Sequence, residues 1–171
     1  ASDVYKRQAQ RFAKVGFKRE ALGIVYGMAE VVNSVIGAGN REPIRVDVID
    51  RVQLQEKGRA EPCHPRDENA LRMLGVGRGF VGTRFKIIDD DRRELPDRSV
   101  GEIAILSECL FNGYFNNPEV TAQKLDQGWY ISGDLGYRAD GILYVTGRKS
   151  DLIIIGGENF YPQDIEYMVS E

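Results

Sequence analysis

The chain is poor in the residues that staple or metallate small folds, with two cysteines and one histidine among 171 residues. Cys63 and Cys109 lie far apart and share no paired spacing, which excludes a disulfide framework of the kind that holds small secreted domains. A single bridge between them stays open, while two unpaired thiols fit a reducing cytoplasm. His64 beside Cys63 supplies too few ligands for zinc, and the flanking Pro62 and Pro65 make the pair a loop. No apolar run approaches the roughly 20 residues of a membrane span, and no signal-peptide pattern is present. The net charge is only −3, with acidic and basic residues interspersed, so there is no basic stripe of the kind that binds nucleic acid. Asp89-Asp90-Asp91, followed by Arg92-Arg93, reads as a solvated turn. Internal repeats and low-complexity tracts are lacking as well.

What is present is an ordinary globular composition, enough for one sizeable core. Phe12, Val15 and Phe17 suggest a helix running to about Arg19, and Leu22 to Tyr26 form a short apolar strand that delivers Tyr26-Gly27-Met28-Ala29-Glu30 to its end. Ile44, Val46 and Val48 alternate with polar residues as a second strand; Asp50 then caps a brief helix ending near Gly58, and residues 59–69 read as loop. From Leu71 the pattern turns β-rich, with Phe85 and Ile87, then Ile103 and Ile105, at strand spacing. Pro118 to Leu125 is a short helix with Asn117 as its cap, and Leu152 to Ile155 is a strand that begins a new unit. Gly77-Arg78-Gly79-Phe80-Val81-Gly82 satisfies the GxGxxG pattern of dinucleotide folds. The residues after it alternate like a strand, whereas the phosphate site of those folds needs a helix there, so the glycines are assigned to a turn.

The most informative stretch runs from Gly128 to Arg148. Two half-apolar runs are joined by Asp140-Gly141, a dipeptide that favours tight hairpins, and this places Asp134 and Arg148 at the two ends of one hairpin. A carboxylate accepts two hydrogen bonds from a vicinal diol such as ribose, and a guanidinium fork suits a phosphate or ribose oxygen. The pair points to a nucleotide.

Four blocks in order, YGMAE, GEIAILSECLFNGYFNNPEVTAQKL, GWYISGDLGY and GRKSDLIIIGGENFYPQDIE, resemble the superfamily of AMP-forming adenylating enzymes over nearly the whole chain. The resemblance implies an α/β fold made of the end of an α/β subdomain (9–70, with a subfamily insertion), a small distorted β-barrel subdomain (71–147), and the hinge and start of a mobile C-terminal α+β domain (148–171). It implies ATP-dependent activation of a carboxylic acid to acyl-AMP and pyrophosphate, with ATP or AMP and Mg2+ as cofactors. The nucleotide residues would be Tyr26 (stacking on adenine), Gly27, Met28, Ala29, Asp134 and Arg148. Glu30 would be the magnesium carboxylate; a metal on ATP needs only one or two protein carboxylates. Ser150 falls at the hinge position, usually Asp or Lys, and Gly157 matches the glycine near the thiol channel. Family members carry threonine where this chain has Ala29, a change common among fatty acyl-AMP ligases.

To that subfamily the chain is especially similar, through IRVDVIDRVQLQEKGRA and YPQDIE. The implied substrate is a fatty acid and the implied acceptor a carrier protein's phosphopantetheine, with residues from about Gly37 to Asn69 disfavouring free coenzyme A. The alternatives are a long-chain acyl-CoA synthetase and, in another class, a non-catalytic nucleotide-binding scaffold. Asp3 to Gln8 reads as a sequencing-adapter translation, so residues 1–8 are set aside. A helical pattern from Pro162 stops at Glu171 without a cap. The chain is therefore expected to be an internal fragment, the family's catalytic lysine to lie beyond Glu171, and the fragment alone to be nearly inactive.

Overall fold

A computed structural model of the protein describes residues 2–38, 44–155, 158–162 and 169. Helix α1 (Ser2–Phe12) gives way to a 3-10 turn at Ala13–Val15, which Gly16 ends in the left-handed region at φ 84°. The helix thus stops well before Arg19, because Gly16 takes up a helix-ending conformation. Strand β1 (Val25–Met28) starts three residues later than the apolar run at Leu22, so Tyr26, Gly27 and Met28 lie within the strand and Ala29 and Glu30 in the turn after it. That turn leads into β2 (Asn33–Gly37), antiparallel to β1. Next come β3 (Val46–Asp50), helix α2 (Arg51–Lys57) and the ten-residue β4 (Ala70–Gly79). Asp50 caps α2 as the sequence predicts, its carboxylate accepting from the Gln53 amide at 2.9 Å. Asp50→Ala should cost about 1 kcal/mol in chemical unfolding, the usual worth of such a cap.

The β-rich half continues through β5 (Thr83–Ile88), β6 (Gly101–Ser107), helix α3 (Pro118–Lys124), β7 (Leu125–Asp126), β8 (Trp129–Ala139) and β9 (Ile142–Arg148). The hairpin of β10 (Ile153–Ile155) and β11 (Glu158–Phe160) forms a separate two-stranded sheet. The main sheet runs β1-β2-β4-β9-β8-β6-β5, with β3 also paired to β4 and β7 to β8. Strand pairings among the described residues are all antiparallel, so the fold is a mixed α and β arrangement dominated by antiparallel sheet. The ladder passes through residue 70 without a break, since β4 pairs with β2 and β3 on one side and β9 on the other. Of the GxGxxG glycines, Gly77 and Gly79 end β4, and only Gly82 lies in the turn.

Both faces of the sheet are buried. Ile142 and Tyr144 of β9 pack with Ile49, Leu54 and Tyr137 on one face, while Leu143 between them packs with Val31, Ile36, Ile87 and Ile103 on the other. That alternation is the period of two expected of a strand with apolar neighbours above and below. Tyr137 stacks on Tyr144 with ring centroids 4.9 Å apart, and its hydroxyl donates to Asp47 Oδ2 at 3.0 Å. Arg98 donates to the same carboxylate oxygen at 3.0 Å, which ties β3, β8 and the loop before β6 together.

The β8–β9 hairpin positions the site. Asp140 (φ 54°) and Gly141 (φ 73°) both sit in the left-handed region, as a tight two-residue hairpin turn requires. Pairing is regular from Ala139↔Ile142 to Gly136↔Val145, then skips Thr146 and resumes as Leu135↔Gly147 and Asp134↔Arg148. Thr146 is the extra residue of a β-bulge, and its hydroxyl is buried without a hydrogen-bond partner. A ladder without the bulge would set Gly147 opposite Asp134 and turn Arg148 to the other face.

Candidate functional site

A cleft of about 510 Å3 lies where the β1–β2 turn, the loop before α3, the end of α3 and the open end of the β8–β9 hairpin meet. Its walls include Glu30, Lys124, Asp134, Arg148, Lys149 and Ser150.

Asp134 occupies the end of β8 with its side chain only 18% exposed, and its Oδ1 lies 3.4 Å from Arg148 Nε; the Arg148 side chain is 71% exposed and reaches toward solvent. The carboxylate is held from behind, since the Tyr26 hydroxyl donates to Asp134 Oδ2 at 2.6 Å. Burial and then that hydrogen bond push the Tyr26 phenol far above its ordinary value, so it stays a donor. Tyr26 reaches Asp134 because β1 can press against the β2 backbone. A Cβ on Gly27 would lie 1.5 Å from Asn33 O, so any side chain there would force the hairpin apart. Ser132 completes the support: its hydroxyl donates to Ile103 O at 2.8 Å and accepts from the Asp134 amide at 3.0 Å.

Glu30 stands in the turn between β1 and β2, anchored by the buried Val31 beside it. Tyr114 and Tyr130 both donate to Glu30 Oε1, at 2.7 and 2.9 Å, and their own oxygens are 3.2 Å apart. Burial pushes the Glu30 carboxyl up, but the two phenols, its own backbone amide and the nearby Lys124 outweigh burial and leave it below the usual range. Neither tyrosine was singled out by sequence reasoning. Tyr114 comes from a loop whose path shows no periodicity, and Tyr130 lies within a block where only Asp134 carried an evident chemical signal.

Lys149 follows Arg148 in a short 3-10 turn, Lys149–Asp151, and its ammonium bridges Asp90 Oδ1 at 2.8 Å and Glu102 Oε2 at 2.9 Å. Glu102 in turn accepts from the Gly133 amide at 3.0 Å. Ser150, the expected hinge, donates to Asp151 at 2.8 Å and lines the cleft. The structure therefore brings Asp134, Arg148, Glu30 and Ser150 to one cleft, with Gly27 and Met28 in its wall and Tyr26 beneath it. Ala29 opens the turn that carries Glu30. Gly157, and the helical pattern at Ile165 and Met168, lie outside the described residues. Cys63 and Cys109 are both free, which settles the disulfide left open above.

No protein-family model matches the chain. It is 33% identical over 185 residues to the long-chain-fatty-acid–AMP ligase of Mycolicibacterium smegmatis, an alignment covering 97% of this chain and 29% of that protein. It is 45% identical over 93 residues to the medium-chain fatty-acid–CoA ligase of Escherichia coli, covering 53% of this chain and 16% of that one. A solved structure from a study of fatty acyl-adenylate ligases of E. coli and L. pneumophila superposes with a TM-score of 0.90 at 32% identity, over 99% of this chain and 30% of that one. The chain belongs to the AMP-forming acyl-CoA and fatty acyl-AMP ligases. It spans less than a third of the length of each of these ligases.

Within this ligase family the state of Glu30 can be tested by titration. The two phenols hold the ionised form, so the stability it contributes is present above the unfolded carboxyl's pKa and is lost as pH falls through the lower folded value. Tyr130→Phe removes one donor to the charged form and should move the Glu30 titration toward higher pH, as read by carboxyl-labelled NMR. An unmoved titration would mean that Tyr130 does not govern its charge.

Proposed function

We propose that this chain supplies the nucleotide-binding part of an ATP-dependent ligase that activates a fatty acid as acyl-AMP. One observation carries the reading: the bulged hairpin sets a carboxylate and a guanidinium side by side at the mouth of a cleft that also holds Glu30. Asp134 receives the ribose hydroxyls, with Tyr26 fixing its orientation from below. Arg148 swings from its exposed position onto a ribose or phosphate oxygen. Tyr26, Gly27, Met28 and Ala29 form the strand and turn beside the base, and Ala29 offers no hydroxyl to the phosphates.

Glu30 is the carboxylate that would hold Mg2+. The described residues contain no cluster of three or more metal-binding side chains around it or elsewhere. That donor set suits an ion carried mainly by phosphate oxygens and water, and it does not suit a cage built from protein. Bound there, the ion would neutralise charge on the phosphates. The chain's own contribution is positioning: Tyr114 and Tyr130 fix Glu30, Tyr26 fixes Asp134, and the carboxylic acid substrate meets a nucleotide already oriented. The balance of the reaction is a carboxylate oxygen bonding to the α-phosphorus as pyrophosphate leaves.

In this reading residues 9–70, with β1 to β3, close the α/β subdomain, residues 71–147, with most of β4 and β5 to β9, make up the distorted barrel subdomain, and residues 148–171 begin the mobile domain, with Ser150 at the pivot and Gly157 near the thiol channel. Transfer to a carrier-protein phosphopantetheine, with residues from about Gly37 to Asn69 disfavouring coenzyme A, is the acceptor we favour. Similarity to a fatty acid–CoA ligase keeps the acyl-CoA synthetase as the second reading. The free thiols of Cys63 and Cys109 suit a cytoplasmic site of action, and no described helix is long and apolar enough to cross a membrane.

The test is ATP–pyrophosphate exchange by a ligase of the relatives' length that contains this chain, across a panel of fatty acids. Acid-dependent exchange is expected, followed by thioester formation on a phosphopantetheinylated carrier but not on free coenzyme A. Rapid acyl-CoA formation would favour the second reading and leave the adenylation step intact. No exchange with any acid would remove the proposal and favour a nucleotide-binding scaffold.

A further inference from the structure

The charges around the cleft do not pair off evenly. Lys149 is neutralised by both Asp90 and Glu102, and Arg148 lies beside Asp134. Lys124 is different. It ends α3, is half-buried, lines the cleft, and makes no ion pair among the described residues.

Its place is fixed at both ends of the site. Lys124 Nζ comes within 3.2 Å of where a Cβ on Gly133 would stand, immediately before Asp134 in the chain. On its other side it lines the same cleft as Glu30. A nucleotide whose ribose sits on Asp134 and whose metal sits at Glu30 must run its phosphates between these two points. An ammonium there meets several oxygen charges in a partly enclosed cleft, where it interacts more strongly than on an open surface. The alternative, that Lys124 only complements the end of α3, accounts for a basic residue in a last helical turn but not for its approach to Gly133.

We infer that Lys124 is a phosphate-binding residue, holding the β- and γ-phosphates of ATP and the pyrophosphate that leaves. The inference rests on the nucleotide reading of the cleft and adds to it a contact that distinguishes ATP from adenosine. Its ammonium attracts the triphosphate on binding and stays beside the departing pyrophosphate as charge moves onto it.

The experiment measures binding of ATP, inorganic pyrophosphate and adenosine to the 171-residue chain by calorimetry, in EDTA so that no metal contributes. Lys124→Ala is expected to weaken ATP and pyrophosphate about tenfold each, the usual worth of one charge-assisted hydrogen bond, and to leave adenosine unchanged. Lys124→Arg should keep most of the ATP affinity, and added salt should weaken ATP binding more in the parent chain than in Lys124→Ala. Unchanged ATP affinity in Lys124→Ala would overturn the assignment, and so would equal losses of ATP and adenosine, which would mean only that the Gly133 turn had moved. If the parent chain bound no adenosine and Asp134→Ala changed nothing, the nucleotide reading would fail, and this inference with it.

Discussion

Asp134→Ala should lower ATP affinity on the order of a hundredfold, the equivalent of about 3 kcal/mol for two charge-assisted hydrogen bonds to a diol. The structure complicates a simple reading of that loss. Removing the carboxylate also leaves the Tyr26 hydroxyl without its acceptor in a mostly enclosed position, at a cost to the fold of about 1–3 kcal/mol. Two further variants separate the effects. Asp134→Asn keeps an acceptor for Tyr26 and loses the charge, so it should fold normally and still bind ATP poorly. Tyr26→Phe together with Asp134→Ala should regain stability without regaining affinity. Calorimetry for binding and denaturant unfolding for stability read the two quantities independently. An Asp134→Asn protein with full ATP affinity would remove the ribose assignment.

Glu30→Gln should slow adenylation by a ligase containing this chain on the order of a hundredfold at limiting magnesium, with part of the rate recovered as magnesium is raised. The amide oxygen of glutamine can still accept from Tyr114 and Tyr130, so the change removes charge while keeping the hydrogen bonds that hold the turn. For that reason the melting temperature should stay close to the parent's. A variant that adenylates like the parent at limiting magnesium would make Glu30 a structural turn residue whose partners are tyrosines alone.

How much of this was legible in the residues depends on how local each signal was. The caps Asp50 and Asn117 lie beside the helices they start, and both helices form where the sequence puts them. Asp140-Gly141 forces its turn through two positive φ values, so the closeness of Asp134 and Arg148 could be read from a dipeptide six residues from the first and seven from the second. What decided their facing was less visible. Thr146 resembles any β-branched strand residue, and nothing in its neighbours announces that the ladder steps over it. The partners of Glu30 were hidden for another reason: Tyr114 and Tyr130 are 84 and 100 residues away along the chain, and only the assembled sheet brings them together. The Lys149 bridge to Asp90 and Glu102 is equally remote, at 59 and 47 residues. Local chemistry was readable, and convergence across the sheet was not.

The bulge at Thr146 also means that part of this site is written in chain length and not in side-chain identity. A scan that replaces residues one at a time would keep the count between Gly141 and Arg148 and would pass over it, because any side chain at 146 preserves the step. Removing the residue altogether would let the two strands pair evenly with Leu135 still opposite Gly147 and Asp134 still opposite Arg148, whereas keeping it but pairing it into the ladder would set Gly147 across from Asp134 and turn Arg148 to the opposite surface. A hairpin one residue shorter at this point would therefore be expected to present the same carboxylate and guanidinium from an even ladder, while one of this length needs the bulge to do so.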